Sequence, residues 1–387
     1  MKKLVNKASN WLEINLDNLE YNFRGIKNKI PEGTKMCMVI KSNAYGHGAV
    51  EIARFYEELG ADFFAVARLN EALELRDHGI TSPILNLGYT NPMTIEDSIR
   101  NNVSMTVFDL ELAREIDKVA REIGIKAKIH LKLDTGMSRL GYVVLDDKVE
   151  EIAAEIKEIS ELEGIILEGM YTHFATADAR NKEFENLQTH RFSEMVEKIK
   201  DMGVEIDYIH CSNSAEILDC DEKYDMVRPG IIQYGVYPSN EVNYSIDIKP
   251  VMAFKAKVSN VKILDAGTSI SYGRVYFTTV KEKIVSIAAG YADGFLRGRR
   301  NPYVYINGVK CSIVGRICMD QSMVRVPMDM DVKVNDDVLV FGDDLVSVDD
   351  VARDCDSIAH EVMCMMSRRV PRVYYRHGEI VSIVDYL

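Results

Sequence analysis

The sequence lacks several features that would assign it to other classes of protein. Its seven cysteines are odd in number and form no CxxC pair, which favours reduced thiols and gives no reason to expect a metal site. No apolar run approaches the length that crosses a membrane, and no secretory signal is evident, so we expect a cytoplasmic protein. The net charge of −13 argues against nucleic acid and anionic membranes as partners.

A GxGxxG fingerprint is also missing after the first predicted strand, which argues against an open dinucleotide-binding sheet. What the sequence does contain is a regular alternation of strands and helices, with glycines at the expected helix ends. The predicted strands are Lys35–Ile40, Asp62–Val66, Pro83–Leu87, Ser104–Phe108, Lys126–Leu133, Ile165–His173, Ile206–His210 and Asp225–Arg228. Eight such units fit a TIM-type (β/α)₈ barrel, which needs about 250 residues.

The pattern changes after about Ile246, where short strands with turn signals replace the long helices. Asn307-Gly308 between two β-rich runs predicts a tight hairpin. One helical stretch is predicted near residues 348–366. We therefore predict an α/β protein with a barrel domain at residues 1–246 and a mainly β domain at residues 247–387.

Polar residues follow several predicted barrel strands, on the face where such barrels build their active sites. They are Lys41, Asp134 to Gly141, His173, Ser212 to Ser214, and Arg228 to Ile231. Each alone has an ordinary explanation, such as a core histidine, a helix cap or a surface ion pair. Because they share one face of one barrel, a common site explains them better.

Lys41 stands at the end of the first predicted strand, where burial would lower its pKa and free an amine that can attack a carbonyl. Ser214 with the backbone amides of Gly230 and Ile231 suits a phosphate, and Tyr45 could donate from the other side. A nucleophilic lysine beside a phosphate site indicates a phosphorylated aldehyde cofactor, of which pyridoxal phosphate is the common one.

Ordered motifs along nearly the whole chain resemble those of alanine racemases. They are Val39-Ile40-Lys41-Ser42-Asn43-Ala44-Tyr45-Gly46-His47-Gly48, Leu131 to Gly141, Tyr171 to Asp178, Val227-Arg228-Pro229-Gly230-Ile231, Ser271-Tyr272-Gly273-Arg274, Gly290-Tyr291-Ala292-Asp293-Gly294 and Gly315 to Gln321. The resemblance implies a fold-type III, pyridoxal-phosphate-dependent enzyme that supplies D-alanine for peptidoglycan. It also implies a head-to-tail homodimer with sites between the subunits.

The resemblance further implies roles for individual residues. Lys41 and Tyr272 are the two bases, one for each face of the substrate Cα, with His173 donating a hydrogen bond to Tyr272. Arg228 faces the pyridine nitrogen and Asn213 belongs to the cofactor site. Arg139 faces the cofactor's phenolate oxygen beside a carbamylated Lys132. The partner's site is lined by Tyr291, Cys318, Met319 and Asp320.

One departure from the family concerns Arg368, where many relatives carry a tyrosine that helps to fix the phosphate. An arginine can also bind phosphate, so activity is expected, while strictness for alanine depends on how this arginine changes the shape and charge of the pocket. We predict an alanine racemase. The alternatives are a broader racemase for serine or basic amino acids, a barrel that carries pyridoxal phosphate without catalysis, and a decarboxylase on a related architecture.

Overall fold

The computed structural model describes residues 8–145, 147–221 and 223–386. They form two compact units: a barrel unit of residues 22–44 and 49–248, and a β unit of residues 8–21, 45–48 and 249 onward. The predicted barrel domain, residues 1–246, differs from the observed barrel unit at its start. Residues 8–21 belong to the β unit because Asn10–Asn15 is a strand of its sheet.

Eight parallel strands form the barrel unit, and the first seven are hydrogen-bonded one to the next in chain order; a further short strand, Tyr142–Val143, pairs beside the fifth. They are Lys35–Val39, Phe63–Val66, Ile84–Asn86, Val103–Val107, Ala127–Asp134, Ile165–Tyr171, Tyr208–His210 and Met226–Val227. The last strand pairs with the first, and Arg228 N donates to Ser212 O at 2.9 Å beside the seventh. The predicted barrel is therefore confirmed, with strand ends within about two residues of the prediction.

Helices follow the barrel strands in the predicted alternation. The regular ones are Leu16–Lys29, which begins in the β unit, then Ala49–Leu59, Leu69–Asp77, Ile95–Arg100, Leu110–Ile123, Val149–Ser160, Glu183–Asp201 and Ser214–Asp219. Leu110–Ile123 illustrates which residues determine where such a helix begins and ends. Asp109 accepts from Leu112 N at 2.7 Å at its start, and Gly124 ends it with φ 71°.

The β unit is built on a sheet that is antiparallel except at one pair. Its strands are Asn10–Asn15, Met252–Leu264, Glu282–Ile287, Tyr303–Ile306, Val309–Ile313, Ser322–Val326, Asp337–Phe341, Arg372–Arg376 and Glu379–Val384, with a separate pair at Ser269–Ile270 and Tyr276–Phe277. Asn10–Asn15 lies between Met252–Leu264 and Arg372–Arg376, and only the second of these pairings is parallel. Asn307 and Gly308, with φ of 49° and 76°, form the predicted hairpin.

The helical stretch predicted near residues 348–366 is two short helices, Val348–Asp354 and Ala359–Cys364. Asp356 between them has φ 59°, a left-handed conformation that interrupts a right-handed helix. Within the described ranges, no helix is long and apolar enough to cross a membrane.

Candidate active site

Five cationic or imidazole side chains gather at the carboxyl ends of the barrel strands. They are Lys41, Lys132, Arg139, His173 and Arg228. Burial and the charges of Arg139 and Arg228 lower the pKa of Lys132 to about 8. Burial and the same cations hold the pKa of His173 well below its usual range. The cluster therefore favours an anionic ligand and a neutral amine.

The backbone after Lys41 makes an unusual left-handed turn. Residues 42–45, none of them glycine, have φ between 51° and 55°. This conformation costs roughly 1–2 kcal/mol per residue, so other contacts must hold it. Glu71 accepts a hydrogen bond from Ser42 N at 2.6 Å, and the Asn43 side chain accepts from Ala49 N at 2.9 Å. The turn thus fixes the chain direction immediately after Lys41.

Three of the residues predicted to hold a phosphate, Ser214, Gly230 and Ile231, lie together in the barrel unit. Ser214 Oγ accepts from Gly230 N at 2.9 Å, next to the short 3₁₀ helix Ile231–Tyr234. The Asn213 side chain accepts from Ala215 N and caps the helix Ser214–Asp219. Its observed role is therefore a helix cap, whereas its place in the cofactor site stays a prediction.

Arg228 is buried and held from several directions. Its Nη2 donates to Thr172 O at 2.7 Å and to Cys211 O at 2.9 Å, while Nη1 lies 2.7 Å from His210 Nδ1. All these acceptors are neutral, because burial and the charge of Arg228 keep the pKa of His210 well below its usual range. The guanidinium is consequently fixed in orientation by neutral groups, and it forms no ion pair with any residue that the structure describes.

Sequence reasoning missed three buried polar residues below this site: His130, Glu168 and His210. His130 Nδ1 lies 2.9 Å from His210 Nε2, and His130 Nε2 lies 3.1 Å from the Glu168 carboxylate. A signal was present, because Lys128, His130 and Lys132 alternate with apolar residues along one strand and therefore share a face.

Tyr272 begins a short 3₁₀ turn of the β unit, and 69% of the residue's surface is exposed. The preceding Ser271 has φ 66° and donates to Arg316 O at 2.6 Å. Ser271 Oγ also lies 3.5 Å from Cys318 Sγ, and both Tyr272 and Cys318 line one surface pocket. The turn therefore holds Tyr272 outward beside Cys318.

The other three predicted pocket residues lie on two segments that are hydrogen-bonded together. Tyr291 N donates to Cys318 O at 3.0 Å, and the neighbouring Ala292 N donates to Met319 O at 3.0 Å. The Asp320 carboxylate lies 2.7 Å from Arg369 Nη2. Arg369 also forms an ion pair with the buried Asp293. Tyr291 and Met319 remain exposed, so this group also faces outward from the β unit.

Tyr45 and Arg368 also lie in the β unit. Tyr45 is buried with its ring 5.9 Å from His360, and burial raises the pKa of its hydroxyl. Arg368 lies 5.0 Å from the Tyr386 ring. The phosphate contact predicted for Tyr45 stays a prediction, as does any role of Arg368 in the phosphate site.

Comparison with known proteins gives a consistent family assignment. Residues 14–238 match the family model "Alanine racemase, N-terminal domain", and residues 251–374 match "Alanine racemase, C-terminal domain". Alanine racemase 2 of Caldanaerobacter subterraneus subsp. tengcongensis is 44% identical, over 97% of either chain. The alanine racemase of Methanococcus maripaludis is 44% identical, over 94% of this chain and 98% of the relative. The solved alanine racemase of Clostridium difficile 630 is 48% identical with a TM-score of 0.95, over 98% and 99% of the two chains.

Proposed function

The chain belongs to the alanine racemase family, and from that premise we propose how its residues interconvert L- and D-alanine. The observation that carries the proposal is the cationic cluster around Lys41 at the carboxyl ends of the barrel strands. Such a cluster suits a substrate with a carboxylate and a cofactor with a phosphate. It also favours a lysine amine that is neutral and reactive.

Pyridoxal phosphate, on which the family depends, fits this donor set. Its phosphate would be held by Ser214 and the amides of Gly230 and Ile231, with Tyr45 as a further donor. Lys41 would carry the aldehyde carbon, and Arg139 would face the phenolate oxygen. When bound, the cofactor supplies an electron-accepting ring that stabilises negative charge at the substrate Cα.

Two bases on opposite faces of Cα invert alanine without turning it over. Lys41 Nζ would move the proton on one face, and Tyr272 Oη would move it on the other. Free tyrosine has a pKa of about 10 and is a poor base at neutral pH. A hydrogen bond from His173 and the positive charge of the cluster would favour the ionised form of a phenol placed there.

Arg228 would face the pyridine nitrogen of the cofactor. A guanidinium carries only donors and keeps its proton, so the ring nitrogen would stay unprotonated. This restrains electron withdrawal by the ring and keeps the enzyme from side reactions such as transamination. The fixed orientation of Arg228, with three neutral acceptors around it, supports this role.

We propose that the active sites are shared between two copies of the chain. Tyr272, Tyr291 and Met319 are exposed on the β unit, whereas Lys41 and Arg228 belong to the barrel unit. In a homodimer, Tyr272 of one copy would reach the Lys41 site of the other. Cys318, Met319 and Asp320 would then border the substrate and limit its size, because apolar pockets discriminate by roughly 1–3 kcal/mol per methylene.

The test is exchange of the Cα hydrogen in D₂O, followed by ¹H NMR for alanine, serine and lysine. The protein with added pyridoxal phosphate should exchange and racemise alanine much faster than the other two. Comparable rates for serine or lysine would point to a broader racemase. Bound cofactor without exchange would indicate a carrier, and loss of carbon dioxide would indicate a decarboxylase.

A further inference from the structure

A continuous line of polar contacts runs inside the barrel unit, beneath Arg228. From Arg228 Nη1 it passes to His210 at 2.7 Å, then between the two histidines at 2.9 Å, and from His130 to Glu168 at 3.1 Å. Two further groups donate to the same carboxylate: Ser104 Oγ at 2.5 Å and Lys128 Nζ at 3.1 Å. The histidines and Glu168 are buried, whereas Lys128 is partly exposed.

The contacts show that these side chains point into the ring of strands. Ser104 and Glu168 belong to the fourth and sixth strands, and His130 and His210 to the fifth and seventh, so these two contacts each skip a strand. Gly169 makes room for the line, because a Cβ there would lie 2.2 Å from His130 Nδ1. The line therefore extends along the barrel, from Arg228 beyond the carboxyl end of one strand to Lys128 near the amino end of another.

The chemistry of the two ends fixes the direction of every hydrogen bond. Arg228 can only donate, so His210 Nδ1 accepts and a neutral His210 must carry its proton on Nε2. That proton is donated to His130 Nδ1, and His130 in turn donates from Nε2 to Glu168. Burial lowers the pKa of both histidines and keeps them neutral. Burial alone would raise the pKa of Glu168, but the hydrogen bonds from His130 and Ser104 and the charge of Lys128 lower it.

We propose that Glu168 is a positioning residue for the racemase reaction, which acts through His130 and His210 to hold Arg228 toward the cofactor's ring nitrogen. This inference rests on the proposed function. The Glu168 carboxylate accepts the proton of His130 Nε2 and thereby selects the Nε2–H form of both histidines, so His210 Nδ1 presents a lone pair to Arg228. Without that acceptor, either histidine can change to its Nδ1–H form. His210 would then point an N–H group at the N–H donor of Arg228.

The first experiment examines the protonation of the histidines directly, in the holoenzyme loaded with pyridoxal phosphate. ¹⁵N NMR of protein labelled at its eight histidines, assigned with His130→Asn and His210→Asn variants, reports which nitrogen carries each proton. His130 and His210 should both be neutral Nε2–H forms at about pH 8, above the ordinary pKa of a histidine. A charged ring or an Nδ1–H form at either residue would overturn the proposal.

The second experiment measures how far Arg228 is held toward the ring nitrogen. The affinity of the apoenzyme for pyridoxal phosphate is compared with that for an analogue carrying carbon in place of the nitrogen. The wild type should prefer pyridoxal phosphate by roughly tenfold, as expected for one hydrogen bond from a charged donor. Glu168→Leu should abolish the preference, and Glu168→Gln, which keeps an acceptor oxygen, should largely restore it.

Lys128→Met is the matched control, because it removes the exposed partner of Glu168 while leaving His130 in place. It should keep the tenfold preference and the wild-type rate. Glu168→Leu should lower kcat by roughly 10- to 100-fold with little change in KM, the range found when a partner that orients a functional group is lost. If Glu168→Leu does not fold, the histidine spectra of the wild type still decide, because they report the proton positions directly.

The outcomes separate this inference from the proposed function. A wild type that racemises alanine, with a ring-nitrogen preference that survives Glu168→Leu, would overturn the positioning role alone. A wild type without racemase activity would overturn the proposed function, whatever form the histidines take.

Discussion

At the scale of single residues, Lys41 is the side chain on which the chemistry depends. It lies just beyond the first barrel strand and belongs to a cluster in which burial and positive charge lower the pKa of Lys132 and of His173. These pKa shifts show that the cluster tolerates further positive charge poorly. A cofactor with anionic groups would relieve this repulsion, and a lysine that bonds to its aldehyde loses its own ammonium charge.

We expect Lys41→Ala to lose both covalent attachment of pyridoxal phosphate and nearly all racemase activity. The measurement is borohydride reduction of the loaded protein, followed by peptide mass spectrometry. In the wild type the label should lie on Lys41. Lys118→Ala, which removes an exposed lysine of an outer helix, is the control and should behave as wild type. A label on another lysine of the wild type would contradict the assignment.

Lys132 permits a second prediction at this scale, the carbamylation implied by the family resemblance. A carbamate forms from a neutral amine, and the pKa of Lys132 is lowered to about 8, so incorporation should become faster as the pH rises through that value. Its negative charge would offset the charges of Arg139 and Arg228. The measurement is ¹³C NMR after incubation with labelled bicarbonate.

The carbamate signal should disappear in Lys132→Gln and persist in Lys128→Met, a change in the same strand. An unlabelled wild-type protein, or a signal that survives Lys132→Gln, would rule the modification out.

At the scale of elements, the left-handed turn after Lys41 has an unusual backbone conformation. Four consecutive residues hold a conformation that costs roughly 1–2 kcal/mol each. Glu71, on the helix Leu69–Asp77, accepts from Ser42 N at 2.6 Å and from Ala67 N at 2.7 Å. One carboxylate therefore ties the turn to the loop before the next helix.

Glu71→Ala should lower the free energy of unfolding by about 3 kcal/mol, because three backbone donors, the amides of Ser42, Ala67 and Arg68, lose a charged acceptor. It should also weaken cofactor binding, since the chain after Lys41 loses its fixed path. Denaturant unfolding and equilibrium dialysis with pyridoxal phosphate measure the two effects. Asp77→Ala on the same helix is the control, because Asp77 is exposed. An unfolding curve for Glu71→Ala that matches this control would contradict the role.

The elements also show which parts of the molecule a sequence can predict. Buried parallel strands between turn residues produce a repeated local pattern, so all eight barrel strands could be located. Side chains that directly follow those strands could be grouped, because strand ends of a barrel converge. Asn10–Asn15 was assigned to the wrong unit because its partners, Met252–Leu264 and Arg372–Arg376, are distant in the chain.

Two further features were missed for physical reasons. The left-handed turn contains no glycine, the residue that most often adopts positive φ, so the sequence did not indicate it. The line from Arg228 to Glu168 joins residues that are far apart in the chain, and its contact between His130 and His210 skips a strand, so no regular spacing in the sequence indicates it. Only the alternation of Lys128, His130 and Lys132 gave a local hint.

At the scale of the whole molecule, the proposed dimer places two bases from different copies at each site. Lys41→Ala and Tyr272→Phe should each be nearly inactive alone. Co-expression should restore roughly a quarter of the wild-type activity, because half of randomly paired dimers are mixed and each has one complete site. Activity per purified heterodimer, separated by two affinity tags, is the measurement. Verified heterodimers without activity would reject shared sites and leave the racemase assignment intact.

The central claim is that this chain racemises alanine with pyridoxal phosphate, and circular dichroism tests it most directly. Purified protein with added cofactor is incubated with L-alanine, and in a second sample with D-alanine, while the signal of the amino acid is followed. Both signals should decay to zero, with no loss of total alanine, and neither should change with Lys41→Ala. A signal that persists in both samples, although the protein has bound the cofactor, would contradict the account.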